Sequence, residues 1–377
     1  MTPRKPARAE VVGSLLRPRA LRAAIEEVYE PGHSALLAEE RAKDLSRLRG
    51  IEDEEIAAAV RRQVDLGLDV VSDGELRRWM FLNSFYDAVE GFATDKTVTF
   101  TNGRGEEVPL AVHRITGRLA KIDSPATREA AFLTALTSHP FKVTFPAASI
   151  FAHPFSFDPG LWGHYRDLDD LVSHMIAIER ELIAEAVAAG CRYVQLDFPL
   201  YPYLADERWA ARFRAAGHDP DALLDRAIAA DRAVLEGMPE GVTTALHVCR
   251  GNYRSSWMCE GSLEPVAERM FGELPYDAFL VEWDDVARDG GYEPIRHVPP
   301  GRIMVMGLVS TKTPVLQTED ELLRQLDEAA RHLPLEQLAL SPQCGFASVV
   351  EGNEIDEETQ WRKLELVARV ADRVWGR

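Results

Sequence analysis

The sequence predicts an α/β protein folded as a (β/α)8 barrel, with an insertion that carries a hairpin after the second strand. Three observations predict it. Eight short apolar runs rich in β-branched residues recur along the chain. Most are separated by stretches whose apolar residues repeat at helical spacing. Several runs end in Ser, Asp, Glu or His, and barrels concentrate their chemistry at the C-terminal ends of the strands.

In order, the runs are residues 11–12, ending at Gly13 and Ser14; 70–71, ending at Asp73 and Glu75; 143–150, broken by Pro146; 193–196, ending at Asp197; 242–247; 278–281, ending at Glu282; 303–305, ending at Gly307; and 338–340, ending at Ser341 and Pro342. Between them, Ile56, Val60 and Val64 share a helix face, and Gly67 follows as a stop. Leu171, Met175, Ile178 and Leu182 do the same before Gly190. Trp361, Leu364, Val367 and Val374 predict a last helix that closes the barrel. Residues 77–140 interrupt the alternation. Asn102-Gly103 reads as a hairpin turn, so this stretch is expected to pass over the barrel mouth. Gly32, His33 and Ser34 predict a further loop. No break in composition marks a second domain, and residues 1–377 read as one barrel domain.

Composition narrows the function. Lys plus Arg number 43 against 61 Asp plus Glu, a formal net charge of -18. Such a chain repels phosphate backbones and anionic lipid, which argues against nucleic-acid and membrane partners. The basic, proline-broken start does not read as a signal peptide, and no run approaches the roughly 20 apolar residues of a membrane span. Four cysteines are too few to scaffold a chain of this size, so a reduced, cytoplasmic setting is expected.

The polar residues at the strand ends carry the chemistry. His247 and Cys249 form an H-x-C pair, and alternation along an extended chain points both to one side. Glu282 ends the next strand, and Cys344 follows the eighth. Imidazole, two thiolates and a carboxylate are acceptable ligands for Zn2+. So thiolate-rich a site activates water poorly but suits a substrate thiol. Cys191 precedes a strand and reads as core, and Cys259 is a spare ligand candidate.

These residues sit in segments that resemble the catalytic domain of cobalamin-independent methionine synthase: LHVCRGNY (246–253), LVEWD (280–284), SPQCGF (341–346), VGS (12–14), SDGE (72–75) and QLDFP (195–199). They occur in that family's order and span nearly the whole chain. The resemblance implies a (β/α)8 barrel, zinc held by His247, Cys249, Glu282 and Cys344, and methyl transfer to homocysteine. It further implies a homocysteine site at Gly13 and Ser14, with Glu75 and Asp197 against the substrate ammonium.

The chain has room for one barrel where full-length methionine synthase has two. The donor therefore stays open between methyl-folate and methylcobalamin. Lys312, His153 and Tyr203 are the candidates to protonate the leaving group. Single-barrel relatives include epoxyalkane:coenzyme M transferases, which open an epoxide with a sulfonated thiol. Arg250, Asn252 and Arg254 beside the H-x-C pair form a candidate anion patch for coenzyme M. A non-catalytic binding barrel with structural zinc and a metal-free decarboxylase-like barrel are the readings of other classes. The oligomeric state is open.

Overall fold

The computed structural model describes residues 6–28, 44–155 and 163–377. The loop expected at Gly32, His33 and Ser34 lies outside them. An antiparallel hairpin comes first, β1 (Val89–Thr101) and β2 (Glu107–Lys121). Six parallel strands follow and pair in chain order: β3 (Val143–Pro146), β4 (Tyr193–Asp197), β5 (Thr243–Val248), β6 (Ala278–Glu282), β7 (Ile303–Val309) and β8 (Leu338–Pro342).

Isolated parallel bridges, not extended strands, form at Ala9 and Glu10, just before the first apolar run, and at Val70 and Val71 of the second. Ala9 bridges to Leu340 on β8, Glu10 to Val70, and Val71 to Phe141 just before β3. Pairing thus runs from β8 through these two segments back to β3, the circuit a (β/α)8 barrel requires. The run at 143–150 is divided as Pro146 suggested. The strand stops at Pro146 and a 3-10 turn takes Ala148–Ala152.

The predicted helices form for the reasons read from their spacing. Leu168–Ala188 buries Leu171, Met175, Ile178 and Leu182, its N-cap Asp167 accepts from the Asp170 amide at 2.8 Å, and Gly190 beyond it has φ 116°. Glu357–Trp375 buries Trp361, Leu364 and Val367, with Asp356 capping the Thr359 amide at 2.6 Å. No described helix is long and apolar enough to cross a membrane.

Inside the ring, Val12, Val70, Ala245, Leu280, Val305 and Ala339 form an apolar cluster of modest side chains. Beside it runs a buried polar chain. Lys142 Nζ donates to Glu10 at 2.5 Å and to Gln195 Oε1 at 2.7 Å, and Gln195 Nε2 donates to Asp197 Oδ1 at 2.7 Å. Gln195 and Asp197 are two residues apart on β4, so both point to one side and the amide fixes the carboxylate at the strand end.

The hairpin closes through a five-residue turn, 102–106, not a two-residue one. Asn102 Oδ1 accepts from the Arg104 and Glu106 amides, both at 2.9 Å, and Gly105 takes the left-handed conformation. The tip then crosses to the loop after β5. The Gly103 amide donates to the Trp257 carbonyl at 2.7 Å, and Arg104 reaches the Ser255 carbonyl at 3.1 Å. A Cβ on Gly103 would overlap the Trp257 indole, so close docking requires glycine there. Thr99 and Val108 of the hairpin line the same cavity as the strand-end residues.

Candidate metal centre and substrate cavity

The end of β5 presents His247 and, just beyond it, Cys249; the loop after β8 brings in Cys344. All three are buried, and their ligand atoms lie within 4.8 Å of one another. His247 Nδ1 lies 3.2 Å from the Leu280 carbonyl. A carbonyl only accepts, so Nδ1 carries the hydrogen and Nε2 keeps a lone pair. That Nε2 is buried with no hydrogen-bond partner among the described residues.

The two sulfurs share a hydrogen bond. The Cys249 thiol, followed by His247 and Lys312, pushes Cys344 well below the ordinary thiol range, against the effect of burial. Cys344 and burial hold Cys249 well above it. The two sulfurs and the His247 ring nitrogen form a donor set that fits Zn2+.

Glu282, the fourth expected ligand, stands next to this cluster but outside it. Oε1 accepts from Lys312 Nζ at 2.6 Å and Arg288 at 2.8 Å, and Oε2 from the Arg250 amide at 2.7 Å. Arg288 also pairs with Asp284 at 2.5 Å and Asp289 at 2.8 Å. The second acidic cluster, Glu282, Asp284 and Asp289, is therefore already neutralised by cations.

A cavity of about 430 Å³ opens over the centre. One part of its wall carries Gly13, Ser14, Glu75, Asp197, His247, Cys249 and Cys344. Glu75 is buried in the left-handed region at φ 53°, a strained conformation of the kind found at functional sites. Thr144 donates to its Oε1 at 2.7 Å, while Oε2 has no partner among the described residues. A Cβ on Gly13 would come within 2.5 Å of Oε1, and one on Gly345 would collide with Ser14 Oγ. These two glycines let the strand-end loops close on one point. Asp197 faces His247 across the β4–β5 register. Burial, and then the Glu75 charge, push its carboxyl up to about 7, against the pull of His247.

Asp73 does not line the cavity but holds Glu75 in place, its Oδ1 accepting from the Glu75 amide at 2.9 Å. Burial, and then the Glu129 charge, push Asp73 up to about 7 from 3.8. Between these values the native chain binds a proton that the unfolded chain has released. Stability from this group therefore falls as pH rises through that window. Asp73→Asn is expected to flatten the fall, read as urea midpoints at pH 5 and pH 8; an unchanged difference would refute this.

The remaining sequence candidates divide. Asn252 lines the cavity, its Nδ2 on the Gly345 carbonyl at 2.8 Å. The expected basic patch does not form around it. Arg250 is buried, its Nε 2.9 Å from Asp289, and Arg254 is exposed; neither lines the cavity. A guanidinium this deep is stable only when paired, so the strand-end carboxylates claim it. Lys312 is likewise held by Glu282 and does not line the cavity. Cys191 and Cys259 are buried outside the His-Cys-Cys cluster, and Cys191 Sγ donates to the Tyr193 carbonyl at 3.1 Å.

His153 and Tyr203 do line the cavity, in an aromatic wall with Phe81, Phe155, Phe198 and Trp209. The His153 and Tyr203 rings meet edge to face at 4.7 Å. Burial pushes His153 down to about 3, so the ring is neutral at ordinary pH. Phe198, at φ 64°, was missed from sequence because a strained backbone leaves no mark in composition. Arg212 was missed as well. It is the sole arginine or lysine among the cavity-lining residues, and its Cζ lies 4.7 Å over the Trp209 ring.

A parallel α/β ring bearing a thiolate-rich candidate metal centre at its strand ends, under an acid-lined cavity, is the class of protein the fold and site define. The chain belongs to the cobalamin-independent synthase catalytic-domain family, whose model matches residues 33–360. It is 33% identical over 98% of its length to Bacillus subtilis YxjG, and 34% identical over 98% to YxjH, covering 95% of each. A Listeria monocytogenes structure described provisionally as a vitamin-B12-independent methionine synthase matches with TM-score 0.72 and 29% identity over 99% of both chains. The Nitratidesulfovibrio vulgaris 5-methyltetrahydropteroyltriglutamate–homocysteine methyltransferase is 24% identical over 77% of this chain, which covers only 34% of that protein.

Proposed function

We propose that this protein is a zinc-dependent methyltransferase acting on the thiol of homocysteine. The observation that carries the reading is the convergence of His247, Cys249 and Cys344 within 4.8 Å, beside the Glu75 and Asp197 carboxylates. The buried Nε2 lone pair of His247 and the sulfur pair are the donor set zinc prefers, with Glu282 completing it from the adjacent strand. When bound there, zinc supplies the acidity that makes a substrate thiol a nucleophile at neutral pH.

The chain's own residues do the rest. Glu75 and Asp197 take the substrate ammonium, with the unpartnered Glu75 Oε2 as its nearest acceptor. Ser14 and Asn252 offer hydrogen bonds to the substrate's polar groups. Lys312 and Arg288 hold Glu282 in place, which makes Lys312 a positioning residue and not a proton donor to the leaving group. Gly13 and Gly345 allow the close approach of these walls. The aromatic wall excludes water and holds the donor's carbon in line with the sulfur.

The test offers zinc-loaded protein homocysteine and coenzyme M separately, each with methyl-folate, methylcobalamin and a small epoxide, and follows thiol loss. Loss of homocysteine with a methyl donor is expected. Loss confined to coenzyme M with epoxide would replace this reading. No thiol loss in any arm, with zinc bound, would leave a structural-zinc barrel.

A further inference from the structure

We propose that Thr144 and Gln195 select thiols that carry an amino group, by setting a neutral hydrogen-bond bridge between each carboxylate of the cavity's acid pair and a buried cation. The proposal rests on the reading of Glu75 and Asp197 as partners of a substrate ammonium; the bridges themselves rest on the following geometry.

Lys142, just before β3, and Thr144 on that strand are two residues apart, so both side chains point to one side of the sheet. Thr144 stands opposite Gln195 in the β3–β4 register. One short stretch of chain thus feeds two relays, and each ends on a carboxylate of the cavity wall.

In the first relay, Arg78 Nη1 donates to Thr144 Oγ1 at 2.7 Å, and Thr144 Oγ1 donates to Glu75 Oε1 at 2.7 Å. A guanidinium only donates, so the single hydroxyl hydrogen is left to face the carboxylate. In the second, Lys142 Nζ donates to Gln195 Oε1 at 2.7 Å, and Gln195 Nε2 donates to Asp197 Oδ1 at 2.7 Å. The ammonium fixes which end of the amide is oxygen, and Nε2 also donates to the Val12 carbonyl at 2.8 Å. Both bridging side chains are buried with all their polar atoms bonded, which fixes their orientation.

The two cations have other partners. Glu129 holds Arg78 with both oxygens, at 2.9 and 2.5 Å, and Arg78 stays 3.7 Å from Glu75 Oε1. Glu10 holds Lys142 at 2.5 Å. Neither Glu129 nor Glu10 lines the cavity. A direct ion pair would neutralise the carboxylate that a substrate ammonium needs. A hydroxyl and an amide orient the acid pair without cancelling its charge, and Glu75 Oε2 has no partner among the described residues.

Binding of homocysteine and of 4-mercaptobutyrate, which lacks the amino group, is measured by calorimetry on zinc-loaded protein. Wild type is expected to prefer homocysteine by about a hundredfold. Thr144→Val keeps the shape and removes the hydroxyl. It is expected to cut the preference about tenfold through homocysteine alone, with Thr144→Ser restoring most of it. Gln195→Met is expected to cut the preference by a similar factor, so the test does not hang on one variant. Zinc content and 4-mercaptobutyrate affinity are expected to hold within about twofold in all three.

No preference in wild type, an undiminished preference in either Thr144→Val or Gln195→Met, or equal weakening of both thiols would overturn the proposal. A preference that both variants reduce, with no methylation of homocysteine by wild type, would sink the methyl-transfer reading and leave the bridges standing. Methylation of homocysteine with a preference that neither variant reduces would do the reverse.

Discussion

Cys344→Ala is expected to lose zinc and, with it, thiol alkylation by more than about a hundredfold. That figure is what removing an outer partner of a metal site commonly costs, and a ligand itself counts for more. Cys344 comes from the loop after β8, while the other two donors come from the end of β5. Removing it leaves His247 and Cys249 with Glu282, a carboxylate already bonded to Lys312 and Arg288, and this set lacks one of the two sulfurs that close the tetrahedral site. Metal analysis and the sulfur-to-metal absorption of the cobalt-substituted protein check this. Cys191→Ala and Cys259→Ala are the controls, since both thiols lie outside the cluster. Full retention of metal by Cys344→Ala would refute the assigned centre.

Glu75→Gln and Asp197→Asn are each expected to lower kcat/KM for homocysteine by about a hundredfold, the scale on which one partner of a buried charge pair is lost. Both replacements keep shape and remove charge. Glu75 is the sharper test, because its Oε2 lacks a protein partner and its backbone is held at φ 53°. The same substitutions should barely affect 4-mercaptobutyrate, the thiol that lacks the amino group. An equal loss with both thiols would mean that the carboxylates support the fold of the cavity and not the ammonium. Asp197, pushed up to about 7, adds a pH signature: recognition of the ammonium should strengthen as pH rises through that value and Asp197 ionises.

Much of this architecture was legible in the residues. Apolar runs at the spacing of strands, helical periodicity and glycine stops located six strands and the long helices, because burial imposes those periods on the sequence itself. The first two strands were legible as runs, but only isolated bridges form, at Ala9 and Glu10 before the first run and at Val70 and Val71 of the second, since two apolar residues in a row cannot show where pairing falls or how far it extends. The hairpin was legible at Asn102-Gly103, but the left-handed position falls on Gly105, because the Asn102 side chain organises a longer turn. His247, Cys249 and Cys344 could be picked out because few chemistries need those side chains at strand ends.

By itself, then, the sequence determined the alternation of strands and helices, the positions of most strand ends and the candidate metal-binding side chains His247, Cys249 and Cys344. Only the tertiary structure decided which charged groups are free to act. Arg250 directly follows Cys249 and Lys312 follows the seventh strand, yet both are consumed by Asp289 and Glu282. Arg212 lies on a helix outside every motif, yet reaches the cavity over Trp209. The reason is physical. A charge buried in the barrel must find its counter-charge, and that partner is set by which strand ends meet in space, which no local pattern records.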